Sequence, residues 1–134
     1  MKSRPAELNA EMVVSVTFGV ILAMFGFAHY MDIEMFKQMT MFGFVEGGVM
    51  ASLAGLWAYI LPFLMIVGGV LIAVGYRYDI ALWVSGVALA SIAIGMTSKA
   101  IIGTMELKDA APHVQAIFIW LLMYAFVAKS ERCK

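Results

Sequence analysis

The chain has 134 residues, of which 63% are hydrophobic and 13% charged, and its nine basic and nine acidic residues cancel to a net charge of zero. Soluble domains run nearer ~45–50% apolar and ~25% charged, so a soluble fold of this length cannot hide so much apolar surface, and the excess must face lipid. The basic residues form no run, which excludes an electrostatic surface for nucleic acid, and the lone Cys133 has neither an internal disulfide partner nor a partner at zinc-type spacing.

Met12 to Met31 is the first stretch without Asp, Glu, Lys or Arg, close to the ~20 residues a helix needs to cross ~30 Å of hydrocarbon. Lys2 and Arg4 precede it, as in a secretory signal. The stretch is longer than a ~7–15-residue signal core, and Gly26-Phe27-Ala28-His29 is a poor cleavage site, so it reads as a retained helix over 12–31. Ser15, Gly19 and Ala23 recur every four residues, and Gly26 follows Gly19 by seven, which places a small-residue stripe against another helix. Gly19→Leu is then expected to weaken the fold or an assembly, and Leu22→Ala to matter less if Leu22 faces lipid.

Asp32 to Glu46 is mixed in character. Met35, Met39 and Phe42 share one face of a helical wheel while Glu34, Lys37 and Gln38 lie away from it, which predicts a short interfacial helix over 33–43, ended by Gly43 or Gly47-Gly48. Gly47 to Tyr76 is charge-free and predicts a second span over 51–75, with Pro62 inside it as a bend and Gly68, Gly69 and Gly75 as packing positions. Gly75-Tyr76-Arg77-Tyr78-Asp79 has room only for a tight turn. A third span follows over 80–98, with Gly86 and Ala90, then Ser91 and Gly95, as small pairs. Lys99 to Ala111 reads as a second connection with Gly103 and Pro112 as breakers, and Ala110 to Ala128 predicts a fourth span over 111–128. The spans are apolar on every face and lack the alternation of a β-barrel. The expected fold is therefore all-α, a single membrane domain over 1–134 forming a four-helix bundle in the lipid bilayer.

Orientation follows from the basic residues. Lys2, Arg4, Arg77, Lys129, Arg132 and Lys134 fall on one side, and Lys37, Lys99 and Lys108 on the other. The richer side is cytoplasmic, which places both termini there, in a cell inner membrane. Tyr76, Tyr78 and Trp83 then form an inner aromatic belt, with Tyr30 at the outer interface.

Two segments carry a resemblance. Gly19-x6-Gly26-x2-His29, followed by a short amphipathic stretch, resembles the first helix of DoxX-like membrane proteins. Pro62-Phe-Leu-Met-Ile-Val-Gly-Gly-Val-Leu-Ile-Ala-Val-Gly-Tyr-Arg77 resembles that family's second helix, with its Gly-Gly pair, a Leu, a further Gly and a basic residue. The four-span layout matches too, so the resemblance covers most of 12–128. It implies association with quinol-oxidising and related membrane redox assemblies, as an accessory or structural subunit. The chain departs from the family at Ser15, where members commonly carry Arg, and at Met65, where they often carry Glu; His29 stands where Lys or His is usual. A chain without that Arg and Glu keeps the scaffold without any chemistry they serve.

The residues themselves bound the chemistry. No acidic residue, Lys or Arg lies inside a predicted span, and ion-coupled transporters ordinarily need one as the coupling device. The chain has no Cys-x-x-Cys and no nucleotide-binding loop. His29 at the end of the first span and His113 at the start of the fourth are expected at the outer interface, with Met31, Met35 and Met39 beside His29 and Met105 near His113. Imidazole and thioether suit copper, and paired histidines suit haem. A quinone headgroup hydrogen-bonded by His29 or His113 is a further candidate. Against these stands the plainer reading, in which Met fills apolar gaps and His suits a polar interface. Two functions therefore compete: a non-catalytic subunit partnered by other membrane subunits or by its own copies, and a stand-alone protein handling a small molecule, copper or haem at the outer face.

Overall fold

The computed structural model describes residues 10–101 and 107–132. They form five helices and, among the described residues, no strand: α1 (Ala10–Met31), α2 (Ile33–Met41), α3 (Val49–Val74), α4 (Tyr78–Ile101) and α5 (Leu107–Arg132). Three of these hold stretches long and apolar enough to cross a membrane: Met12–Met31 in α1, Val49–Val74 in α3 and Tyr78–Lys99 in α4. In α5 the apolar part is shorter, Gln115–Lys129, about 22 Å of helix.

The long helices form a ring in which α1 packs chiefly on α3, α3 on α4, α4 on α5, and α5 more loosely back on α1. The core holds Phe18 and Leu22 from α1, Leu61, Met65 and Ile72 from α3, Ala81, Ala88 and Leu89 from α4, and Val127 from α5. Outside lies an apolar coat of exposed residues such as Met24, Phe27, Leu56, Phe63, Val87 and Phe118. Apolar inside and out is the pattern of helices solvated by lipid.

α1 and α3 run antiparallel and touch backbone to backbone. A Cβ built on Gly19 would lie 2.5 Å from the Gly69 carbonyl oxygen and 2.6 Å from the Ala73 nitrogen. One built on Gly69 would lie 2.5 Å from both the Ala23 nitrogen and the Gly19 oxygen. Two turns along, a Cβ on Gly26 would sit 2.7 Å from the Pro62 carbonyl oxygen. Only glycine fits these places without moving a helix.

Between α3 and α4 the same device appears once, where Gly68 leaves room for the Ser85 side chain; the Ser85 hydroxyl is fully buried with no hydrogen-bond partner among the described residues. Gly86 makes space for Tyr124 of α5, whose hydroxyl donates to the Leu82 carbonyl at 2.9 Å.

Helix ends are set locally. Asp32 caps α2, its carboxylate accepting from the Met35 amide at 3.3 Å. α3 ends on Gly75 in the left-handed region (φ 72°), with Gly75 N–H donating to Ile72 O and Tyr76 N–H to Leu71 O, a Schellman closure.

Two expectations need correction. Leu22 is fully buried rather than lipid-facing: it lies three residues after Gly19 and four before Gly26, so helical periodicity puts it on the packing face. Pro112 does not break the chain but lies inside α5, in its second turn. There it removes one bond, to the carbonyl of residue 108, and the surrounding bonds carry the helix through. Gly103, the other expected breaker, lies outside the described residues.

Replacing Gly19 with Ala should destabilise the fold by about 1–3 kcal/mol, through forced separation of two backbones, and Gly19→Leu by more. Val20→Ala on the exposed face should stay within about 0.5 kcal/mol of wild type. Thermal melts in one detergent compare them, and equal tolerance at both positions would contradict the contact.

Candidate functional site

Side chains with chemistry gather at the end of the bundle where α1 stops and α3 starts, and α2 lies across them. Its protein-facing side carries Phe36, Lys37 and Met41. A Cβ on Gly55 of α3 would meet the Met41 sulfur at 3.0 Å, so the absence of a side chain there seats α2. Tyr59 of α3 donates to the Glu34 carboxylate at 3.1 Å, and the Lys37 ammonium stands 5.4 Å from the Tyr59 ring and 4.0 Å from Glu34. The Tyr59 phenol first, and Glu34 after it, raise the pKa of Lys37 above its ordinary value. The pair is solvent-exposed, so it orients α2 more than it stabilises it.

His29 sits in the last turn of α1, half-buried. Its Nδ1 lies 2.6 Å from the Phe25 carbonyl oxygen. A carbonyl can only accept, so Nδ1 carries the proton and Nε2 of the neutral ring is left as an acceptor. Nε2 has no hydrogen-bond partner among the described residues. The ring is walled by Phe36 of α2, edge-on at 4.4 Å, and by Phe25, at 6.3 Å. Phe25 in turn meets Trp120 of α5 at 5.6 Å, and Trp120 meets Phe18 at 5.6 Å. An aromatic column thus runs from the core to His29.

Lys99, in the last turn of α4, was not among the residues expected to matter. It is 6% exposed, and its ammonium donates to the Met39 carbonyl at 2.7 Å and stands 5.8 Å from the Phe44 ring. Met39 lies in the final turn of α2, where carbonyls have no partner within the helix and the helix dipole is negative. The cation therefore closes the C-terminal end of α2 from another helix. A signal for it exists in the sequence: Ser85, Ile92 and Lys99 are spaced by seven, so a helix continued past Ser98 turns Lys99 inward. Nearby, Trp57 donates from its indole to Ser91 at 3.0 Å, and Ser91 donates to the Ala88 carbonyl at 2.7 Å, satisfying both groups in the α3–α4 seam.

The other expected site residues fall as follows. The side chain of His113 lies outside the described residues, as does Met105. Met31, Met35 and Met39 are exposed and point away from the bundle. Among the described residues no three His, Cys, Asp or Glu side chains converge as a metal site. Ser15, Gly19 and Gly26 lie on the buried face of α1, with Ala23 at its edge; Gly68 and Gly69 lie on the buried faces of α3; and Gly86 receives Tyr124. Gly75, expected as a packing position, touches no other helix and is instead the exposed left-handed cap that ends α3.

No protein-family model, no curated protein and no solved structure matches this chain.

Lys99→Met should loosen α2 while leaving the long helices packed. In a Cys133→Ser background, the half-buried Met41→Cys should react with a maleimide severalfold faster when Lys99 is replaced. Unchanged labelling would mean that the Lys99–Met39 bond does not hold α2.

Proposed function

We propose that this protein is a multi-pass subunit of the cell inner membrane, crossing it four times with both termini in the cytoplasm. In this reading α5 is the fourth span, and a short one, helped by Lys129, whose long side chain reaches the interface. The orientation is supported by the six-to-three distribution of Lys and Arg, and the crossing itself by exposed Tyr76 and Trp83 at one end and Tyr30 at the other.

Its role is that of a non-catalytic, structural or accessory subunit of a quinone-linked redox assembly. The observation that carries the scaffold role is the interior itself: helix-to-helix contact at Gly19, Gly26, Gly68 and Gly69 fills the space between the spans, and Lys99, the charged group buried among the described residues, serves to hold α2. The resemblance of 12–31 and 62–77 to DoxX-like proteins supplies the redox association. Purification of the tagged protein from its own membranes in a mild detergent tests this. Stoichiometric co-purification of other membrane subunits with quinone-reducing activity is expected, and a homogeneous, unaccompanied protein would contradict it.

A second reading is favoured by His29, whose Nε2 is an acceptor in an aromatic setting. A hydroxyl-bearing quinol headgroup or a copper ion could use that lone pair. Under this reading His29→Ala abolishes quinol or copper binding by the purified protein, and unchanged binding would leave the scaffold role alone.

A further inference from the structure

The lipid-facing side of α5 is mostly built of large side chains, with Phe118, Ile119, Leu122 and Phe126 all exposed. Near its C-terminal end that coat is interrupted. Tyr124, Ala125, Ala128 and Lys129 line a hollow of about 320 Å³ that opens to the surface. Its origin is local: two of the four lining residues are alanines, and the Tyr124 hydroxyl is drawn toward α4 by its bond to the Leu82 carbonyl over Gly86. All four lining residues come from α5, so the hollow is an open depression on one helix face, of a shape to take a length of hydrocarbon chain lying along the surface.

Depth and charge indicate the occupant. Trp120 sits between Phe18 and Phe25, and Tyr124, one turn on, reaches Leu82, so α5 descends toward the end of the bundle that carries Arg77. Leu82 is one turn from the start of α4 at Tyr78. Lys129 lies about 7.5 Å beyond Tyr124 along the axis, which brings it level with Tyr78 at the start of α4, where headgroups meet hydrocarbon. It is exposed, and it makes no ion pair among the described residues. Asp79 of α4 shares that depth, and Arg77 adjoins it. The hollow therefore has an apolar floor within the hydrocarbon and an ammonium at its headgroup edge.

We infer that this hollow seats one acyl chain of an anionic phospholipid whose phosphate pairs with Lys129. The inference rests on the membrane reading above and is independent of the redox assignment. Ala125 and Ala128 supply the chain's contact, and Lys129 supplies the preference for net negative charge, which a zwitterionic headgroup satisfies less well.

The test uses the full-length protein in nanodiscs of equal parts phosphatidylcholine and phosphatidylglycerol, released into mild detergent, with retained lipids counted by native mass spectrometry. The wild type should keep phosphatidylglycerol severalfold over phosphatidylcholine. Lys129→Gln should bring the two near parity. Ala128→Leu fills the hollow and leaves the charge, and it should lower phosphatidylglycerol retention severalfold, with an unchanged detergent melt showing that the bundle is intact. Equal retention of both lipids by the wild type would overturn the site. So would a preference unchanged in Lys129→Gln, or one that persists in Ala128→Leu, which would show attraction by surface charge without a seat. Failure of the protein to enter the nanodisc at all would instead count against the membrane reading.

Discussion

Lipid gives two apolar helices no hydrophobic reason to associate, because a hydrocarbon tail solvates leucine as well as another leucine does. What remains is close contact, and the antiparallel crossing of α1 and α3 obtains it by bringing backbones together at Gly19, Gly69 and Gly26. Dispersion falls steeply with distance, so a separation of even an ångström forfeits much of the attraction. The rest of the ring depends on this pair. Phe18 and Leu22 reach the core because Gly19 and Gly26 beside them let α1 lie down on α3. α4 then packs on the other side of α3 through Gly68 and Ser85, and α5 closes the ring through Tyr124, Trp120 and Val127.

At one end the logic changes from packing to polar pairing. α2 is nine residues long, too short to hold its shape alone, and it is held at its start, its middle and its end. Asp32 caps its start, Tyr59 binds Glu34, and Lys99 closes its last turn. Gly43 and Gly47, both at positive φ, let the chain turn back into α3. The result covers one side of His29 with Phe36 and turns the thioethers of Met35 and Met39 outward. Met35 and Met39, close to His29 in sequence, are thus exposed rather than packed against it.

Much of this was legible in advance, for a physical reason. A bilayer demands long charge-free runs, so the three long apolar helices are plain in the sequence. The small-residue period on α1 is equally plain, since only small side chains permit close approach, whereas on α4 Gly95 meets open space and Ala90 is exposed. The limits lay where tertiary partners decide. Leu22 looks like any lipid-facing leucine until the crossing of α1 and α3 is known. Pro112 looks like a breaker because a lost hydrogen bond is visible in sequence and the bonds that outweigh it are not. Lys99 reads as a loop residue because it follows an apolar run, and its partner is a carbonyl sixty residues away, which no side-chain pattern announces. The expected fourth span was the least legible, since the apolar part of α5, Gln115–Lys129, is shorter than those of the three long apolar helices.

Gly19 and Gly69 share one contact between α1 and α3, and a double-mutant cycle measures that most directly. Gly19→Ala, Gly69→Ala and the double variant are compared by reversible unfolding in mixed micelles. If the two glycines face each other across the crossing, the first methyl group forces the helices apart and the second then meets less resistance. The double variant should accordingly lose clearly less stability than the two single losses combined. Strict additivity, within about 0.3–0.5 kcal/mol, would show that the glycines act independently and would contradict the α1–α3 crossing on which the rest of the fold depends.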